Sequence, residues 1–226
     1  MNLRFRLIAF LLLADLATAL SAAAPNWLAT VTLTPAGSHV MGNPAAPLKV
    51  TAYVSYTCPH CAHFEVESDQ PLKTQFIPTG KVSLEIKHLL RDPIDATAAQ
   101  LANCGPKEKF FGNHAMFMRS QDQWIAVLGN STEAQRQRWS AGDHTAQRKA
   151  IAADLHFTEM MLKRGYTRPQ IDACLADEAM AHRLAAHTAE ALKLGFEGTP
   201  AFSLNGTALF GTNSWGTLEP QLRARM

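Results

Sequence analysis

The tightest constraint on the fold lies at residues 48–76, where a β-rich run passes straight into a helix with two cysteines at the junction. Residues 48–55 (LKVTAYVS) are rich in β-branched and aromatic side chains, the composition of a buried central strand. A helix is predicted from Pro59 to about residue 76, with Pro59 in the first turn, where its missing N–H costs little. Pro78 and Gly80 end it, and residues 81–88 (KVSLEIKH) alternate as a second strand. Between strand and helix stands Cys58-Pro59-His60-Cys61.

The first 24 residues read as separable. Arg4 and Arg6 precede an apolar stretch over 7–14 and a small-residue segment over 17–24, the layout of a secretory signal peptide. The apolar run is too short to span a bilayer; the alternative is a buried N-terminal helix. Export places the four cysteines where disulfides persist. The chain as a whole, 47% hydrophobic and 18% charged with net charge +2, is ordinary for a soluble globular protein. It has no basic run of the kind that binds nucleic acid.

Residues 25–47, punctuated by Pro25, Pro35, Gly37, Gly42, Pro44 and Pro47, read as an irregular arm with one short strand around 29–33. From Asp92 the pattern turns helical for about 100 residues, opening on an Asp92-Pro93 N-cap and first-turn pair. Helices are predicted over 93–104, 106–119, 132–139, 143–164, 168–176 and 178–194. The C-terminal part returns to β: strand 201–204, an Asn205-Gly206 turn, strand 207–210, then a helix over 214–225. Strand–helix–strand followed by hairpin and helix is a thioredoxin-like α/β core with an inserted α-helical domain. The expected division is 1–24 signal peptide, 25–91 first part of the core with its arm, 92–177 helical insertion and 178–226 second part of the core.

A Cys-x-x-Cys pair serves redox chemistry or half of a zinc site. Zinc needs two further ligands, and no second pair exists; His60 and His63 are near, but His60 would point away from a common centre. The redox reading has a mechanism. Cys58 at a helix N-terminus meets unpaired N–H groups and the positive end of the helix dipole, which stabilise a thiolate. His60 adds a donor or positive charge, and Cys61, further into the first turn, is the buried resolving thiol. A pKa drop of about three units corresponds to roughly 4 kcal/mol, or about 90 mV for a two-electron couple. Thr199-Pro200 opens strand 201–204; there the alternatives are a tolerated strand-edge proline and a cis-proline facing Cys58, whose exposed Thr199 backbone pairs with a substrate segment and whose hydroxyl tunes the sulfur.

Cys58-Pro59-His60-Cys61, Thr199-Pro200, the Asn205-Gly206 hairpin and the helical insertion together resemble the DsbA-like family of periplasmic thiol–disulfide oxidoreductases, over nearly all of the chain after residue 24. The resemblance implies a disulfide oxidase in the periplasm that needs no cofactor and holds no metal. It passes its Cys58–Cys61 disulfide to exported cysteine-containing proteins and is reoxidised by a DsbB-like membrane partner. Isomerase or reductase activity is the first alternative; relatives of that kind usually carry an N-terminal dimerisation domain, and the 25–47 arm is too short for one, so a monomer is expected. A non-enzymatic metal-binding protein using Cys58, His60, Cys61 and His63 is the second. One departure stands out: many thioredoxin-fold enzymes place a buried carboxylate six residues before the nucleophile, where this chain has Ala52, and Glu85 is the substitute on the next strand, if it is not simply solvated.

Cys104 and Cys174 both lie in the helical block and are expected to pair, closing about 70 residues for roughly 4 kcal/mol; some DsbA-like proteins carry a second disulfide there. Two buried free thiols are the alternative. Phe110, Phe111, Met116, Phe117, Met118 and Trp124 read as helix core ahead of a substrate-binding surface.

Overall fold

The computed structural model describes residues 25–226; the signal peptide expected over 1–24 lies outside the described residues. A six-stranded sheet runs in the order β1-β2-β4-β3-β5-β6, with β1 Val31–Leu33, β2 His39–Gly42, β3 Leu48–Val54, β4 Val82–His88, β5 Ala201–Leu204 and β6 Thr207–Ala208. β3 and β4 pair in parallel and every other neighbour is antiparallel. All of β3 except Lys49 is buried, as suits a central strand covered on both faces.

The helix that follows β3, α1 (Pro59–Pro71), provides the crossover to β4. It packs Phe64 against Phe202 of β5, ring centroids 4.8 Å apart, on the sheet face that also carries Ala52, which stands opposite Phe202. The helical block follows β4: α2 (Pro93–Ala102), α3 (Phe110–Arg119), α4 (Gln121–Gly129), α5 (Glu133–Trp139), α6 (His144–Asp154), α7 (Phe157–Lys163) and α8 (Arg168–Leu175). Then α9 (Glu178–Lys193) crosses the opposite sheet face, where Glu190 accepts from Tyr53 of β3 at 2.8 Å and pairs with Lys87 of β4 at 2.7 Å. α10 (Trp215–Arg223) closes the chain. One continuous apolar cluster runs from the sheet face under α1 into the helical block, joining Val50, Phe64 and Phe202 to Phe117, Trp124 and Phe157. The insertion therefore shares its core with the sheet. Phe110, Phe117, Met118 and Trp124 are buried in it.

Cys104 and Cys174 are joined by a disulfide, Cα atoms 5.6 Å apart, tying the end of α2 to α8 across 70 residues. The hairpin between β5 and β6 turns on Asn205 and Gly206, both at positive φ (51° and 81°), as a two-residue turn of the primed type requires.

Several elements differ from their expected form. The arm contributes two paired strands, β1 and β2, rather than one. The helix expected over 59–76 is α-helical only to Pro71 and continues as a wider π turn over Leu72–Phe76. The helix expected over 143–164 is two helices, because His156 adopts a left-handed conformation (φ 61°) that an α-helix does not contain. α4 had no counterpart among the expected helices.

Candidate active site

The sharp passage from β3 into α1 places Cys58 at the N-cap, extended (φ −96°, ψ 116°), with Pro59 at the first helical position. A cysteine here meets backbone N–H groups that the helix leaves unpaired. Opposite stands the Thr199–Pro200 peptide, which is cis. The Cys58 thiol donates to the Thr199 carbonyl at 3.1 Å. The two segments, 141 residues apart in sequence, meet because β5 lies beside β3.

The two sulfurs are held differently. Cys58 is held at about 5 instead of 9, chiefly because the Cys61 thiol donates to it. The Thr199 hydroxyl and the Cys61 and His60 backbone amides push the same way, and burial opposes them. The Thr199 hydroxyl is buried and makes no hydrogen bond of ordinary geometry. Cys61 is fully buried, and its thiol is pushed well above its usual range, first by burial, then by its role as donor to Cys58 and by the charge that Cys58 carries. The Ser55 amide donates to Cys61 Sγ at 3.4 Å. The ring of His60 is exposed; its effect on Cys58 comes through its backbone N–H.

The turn that carries Cys58 is clamped from the helical block. Asp95 Oδ1 accepts from the Tyr56 amide at 2.7 Å, Asp92 Oδ2 accepts from the Thr57 hydroxyl at 2.6 Å, and the Gln121 side chain donates to the carbonyls of Tyr56 (2.6 Å) and Cys58 (3.0 Å). Asp92 also caps α2 through the amides of Ile94 and Asp95. Asp92 was legible as a helix cap. Asp95 and Gln121 carried no sequence signal, since a first-turn aspartate and a glutamine in a helical stretch are ordinary. Glu85 faces away from the cysteines: it accepts from Thr51 at 2.8 Å, is hydrogen-bonded by Ser38, and lies 3.6 Å from Lys87. It is thus half-buried and hydrogen-bonded, and not beside the active turn.

Buried titratable groups surround this centre. His39, His88, His114 and His187 are all buried, and burial holds each imidazole below its ordinary range, His39 at about 4 and His114 at about 3. Each stays neutral in the folded chain where the unfolded chain would protonate it, so stability present above pH 6.5 is lost as the pH falls toward 4. Glu65 and Asp95, raised by burial to about 7, act oppositely: the folded chain keeps their protons, and stability is lost as the pH rises from about 4 to 7. Four imidazoles outweigh two carboxyls. In the oxidised chain, where Cys58 does not titrate, stability is expected to fall on acidification from pH 6.5 by at most roughly 3 kcal/mol per unit. Urea midpoints at pH 5 and pH 6.5 check this; a midpoint that is equal or higher at pH 5 contradicts it.

The thioredoxin family model matches residues 34–224, and the chain belongs to that family. It is similar to the crystal structure of a protein-disulfide isomerase from Novosphingobium aromaticivorans, with 49% identity and a TM-score of 0.80 over 84% of this chain and 97% of that one. The alpha-DsbA1 of Wolbachia pipientis shares the fold at 21% identity, TM-score 0.61, over 85% and 92% of the two chains. A Rickettsia bellii protein named as a protein-disulfide oxidoreductase is 28% identical over 169 residues, 74% of this chain and 56% of that protein. The chain spans about half the length of the curated relatives it matches.

Proposed function

We propose that this chain is an exported thiol–disulfide oxidoreductase that donates its Cys58–Cys61 disulfide to cysteine-containing proteins. The observation that carries this reading is the anion-stabilising setting of Cys58 beside the cis Thr199–Pro200 peptide. A substrate thiolate attacks Cys58 Sγ, the Cys58–Cys61 bond breaks, and Cys61 leaves with the electron pair. A second substrate thiolate then attacks the substrate sulfur of the mixed disulfide, and Cys58 departs as a thiolate. The depressed pKa makes Cys58 a good leaving group in that second step. The chain ends as a dithiol and needs reoxidation, for which a DsbB-like membrane protein is the partner this reading names. Among the described residues, no helix is long and apolar enough to cross a membrane; the periplasm is the proposed location and a monomer the proposed state.

Substrate chains would lie along the exposed backbone at Thr199, at a groove of about 250 Å³ lined in part by Gly198, Pro200 and Phe210. Phe210 is 71% exposed at this groove, apolar surface of the kind an unfolded chain can cover.

The test is the reduction potential. Thioredoxin, with a nucleophile near pH 7, sits at about −270 mV. A Cys58 pKa two units lower corresponds to about 60 mV in the oxidising direction. Equilibration with glutathione is expected to give about −210 mV or a less negative value; a result at or below thioredoxin's rules out the donor role. The similarity to a protein named as a disulfide isomerase favours a second reading, isomerisation of wrong pairings. Turnover on fully reduced against scrambled ribonuclease separates the two.

A further inference from the structure

A second cleft opens where the arm meets the helical block. It measures about 440 Å³, within the usual range for small-molecule sites, and lies between the β1–β2 turn, the turn after α2 and α9. It shares no lining residue with the groove at Thr199, and neither Cys58 nor Cys61 borders it. The thiol chemistry makes no use of it.

The lining joins apolar surface to positive charge. Leu33 of β1, 55% exposed, and Met180 and Leu184 of α9 supply the apolar part. Lys107 and Arg183, both exposed, supply the charge, and none of the described lining residues is acidic. Each cation has a partner outside the cleft: Glu108 beside Lys107, and Asp177 4.0 Å from Arg183. Exposed pairs of this kind are weak, so both cations are free to exchange partners. His39 and Asn103, both buried, line the same cleft, and His39 Nδ1 makes no hydrogen bond of ordinary geometry. Burial holds the His39 imidazole at about 4, so it is neutral at neutral pH and the charge of the cleft comes from Lys107 and Arg183. Two left-handed glycines keep the walls open, Gly37 (φ 83°) and Gly105 (φ 82°). A Cβ at Gly37 would stand 2.8 Å from Arg183 Cδ. The Arg183 stem therefore lies against the bare Gly37 backbone, which holds the guanidinium beside the cleft.

We propose that this cleft binds a monocarboxylate with a short apolar tail, the carboxylate accepting from Arg183 and Lys107 and the tail covering Leu33, Met180 and Leu184. The planar fork of a guanidinium fits the two oxygens of a carboxylate. A single negative charge suits the site better than a phosphate dianion, because Glu108 and Asp177 already offset part of the positive charge. The tail takes Leu33 out of water, a contribution that a bare anion lacks. A molecule seated there touches the arm, the segment beside Cys104 and α9 at once, and so stabilises the folded chain by mass action.

The probe is octanoate, titrated into the oxidised chain by calorimetry, with acetate and octanol as the separate halves of its chemistry. Octanoate is expected to saturate with a dissociation constant of about 1 mM or tighter. Acetate and octanol are each expected to bind at least about tenfold more weakly. Arg183→Gln is expected to weaken octanoate about tenfold, the worth of a charged hydrogen bond. Leu33→Asp, which sets a carboxylate against the ligand's own, is expected to abolish saturation. Both substitutions fall on exposed side chains, and Arg136→Gln, exposed on α5, is expected to change nothing. Amide shifts on binding are expected at residues 33–39, 103–107 and 180–184. Absence of saturation by about 10 mM overturns the proposal. So does binding that survives Arg183→Gln and Leu33→Asp, acetate or octanol binding as tightly as octanoate, or shifts that leave those three segments unmoved. None of these outcomes touches the Cys58 exchange chemistry, which the reduction potential tests.

Discussion

A Cys58→Ser chain is expected to oxidise reduced substrate at the uncatalysed rate, and Cys61→Ser to accumulate a mixed disulfide when its Cys58 thiolate attacks the disulfide of an oxidised protein, one of whose sulfurs leaves as thiolate. The asymmetry follows from position and charge. Cys58 borders the groove at Thr199 and is stabilised as an anion, whereas Cys61 has no exposure and its thiol is pushed up. Removing the attacked sulfur leaves a substrate thiolate nothing to react with. Removing Cys61 instead leaves the covalent adduct without its internal resolving group. Non-reducing electrophoresis reads both outcomes, after mixing Cys58→Ser with a dithiol protein and Cys61→Ser with a disulfide-bonded one. A Cys58→Ser chain that still turns over, or a Cys61→Ser chain that traps no partner, contradicts the assignment of roles.

The second large effect concerns stability. Replacing Cys104 and Cys174 together by alanine is expected to lower stability by roughly 4 kcal/mol, because the bond closes a 70-residue loop in the unfolded chain. For a chain of this size that corresponds to a melting temperature lower by about 8–16 °C. The loss is expected in the helical block first, since the bond ties α2 to α8, two helices that line the shared core. Activity at low temperature is expected to persist: the residues that clamp the active turn from the block lie on α2 and α4 and just before α2, none of them on α8. Thermal unfolding followed by circular dichroism decides this, and a drop of under 2 °C is incompatible with a stapling role.

Much of the architecture was legible because strand, helix start and hairpin each carry local chemistry. The apolar run at 48–55, Pro59 behind Cys58 and Asn205-Gly206 are signals a short window contains, and they sufficed for the α/β core with its insertion. What escaped depends on partners distant in sequence. β2 is four residues, one of them glycine, and is a strand because β1 and β4 pair with it on both sides. The break at His156 lies in a stretch with helical periodicity on both sides, and one left-handed residue leaves no mark in the pattern. The centre divides in the same way. Cys58 and Cys61 announce themselves by spacing, but Asp95 and Gln121 reach the active turn only after α2 and α4 fold over it.

The most direct measurement is the ionisation of Cys58 in the reduced chain, followed by thiolate ultraviolet absorbance against pH with Cys58→Ser as the blank. The account predicts a midpoint near 5, with one sulfur titrating and Cys61 silent through neutral pH. A midpoint near 9, the value of an unperturbed thiol, contradicts it.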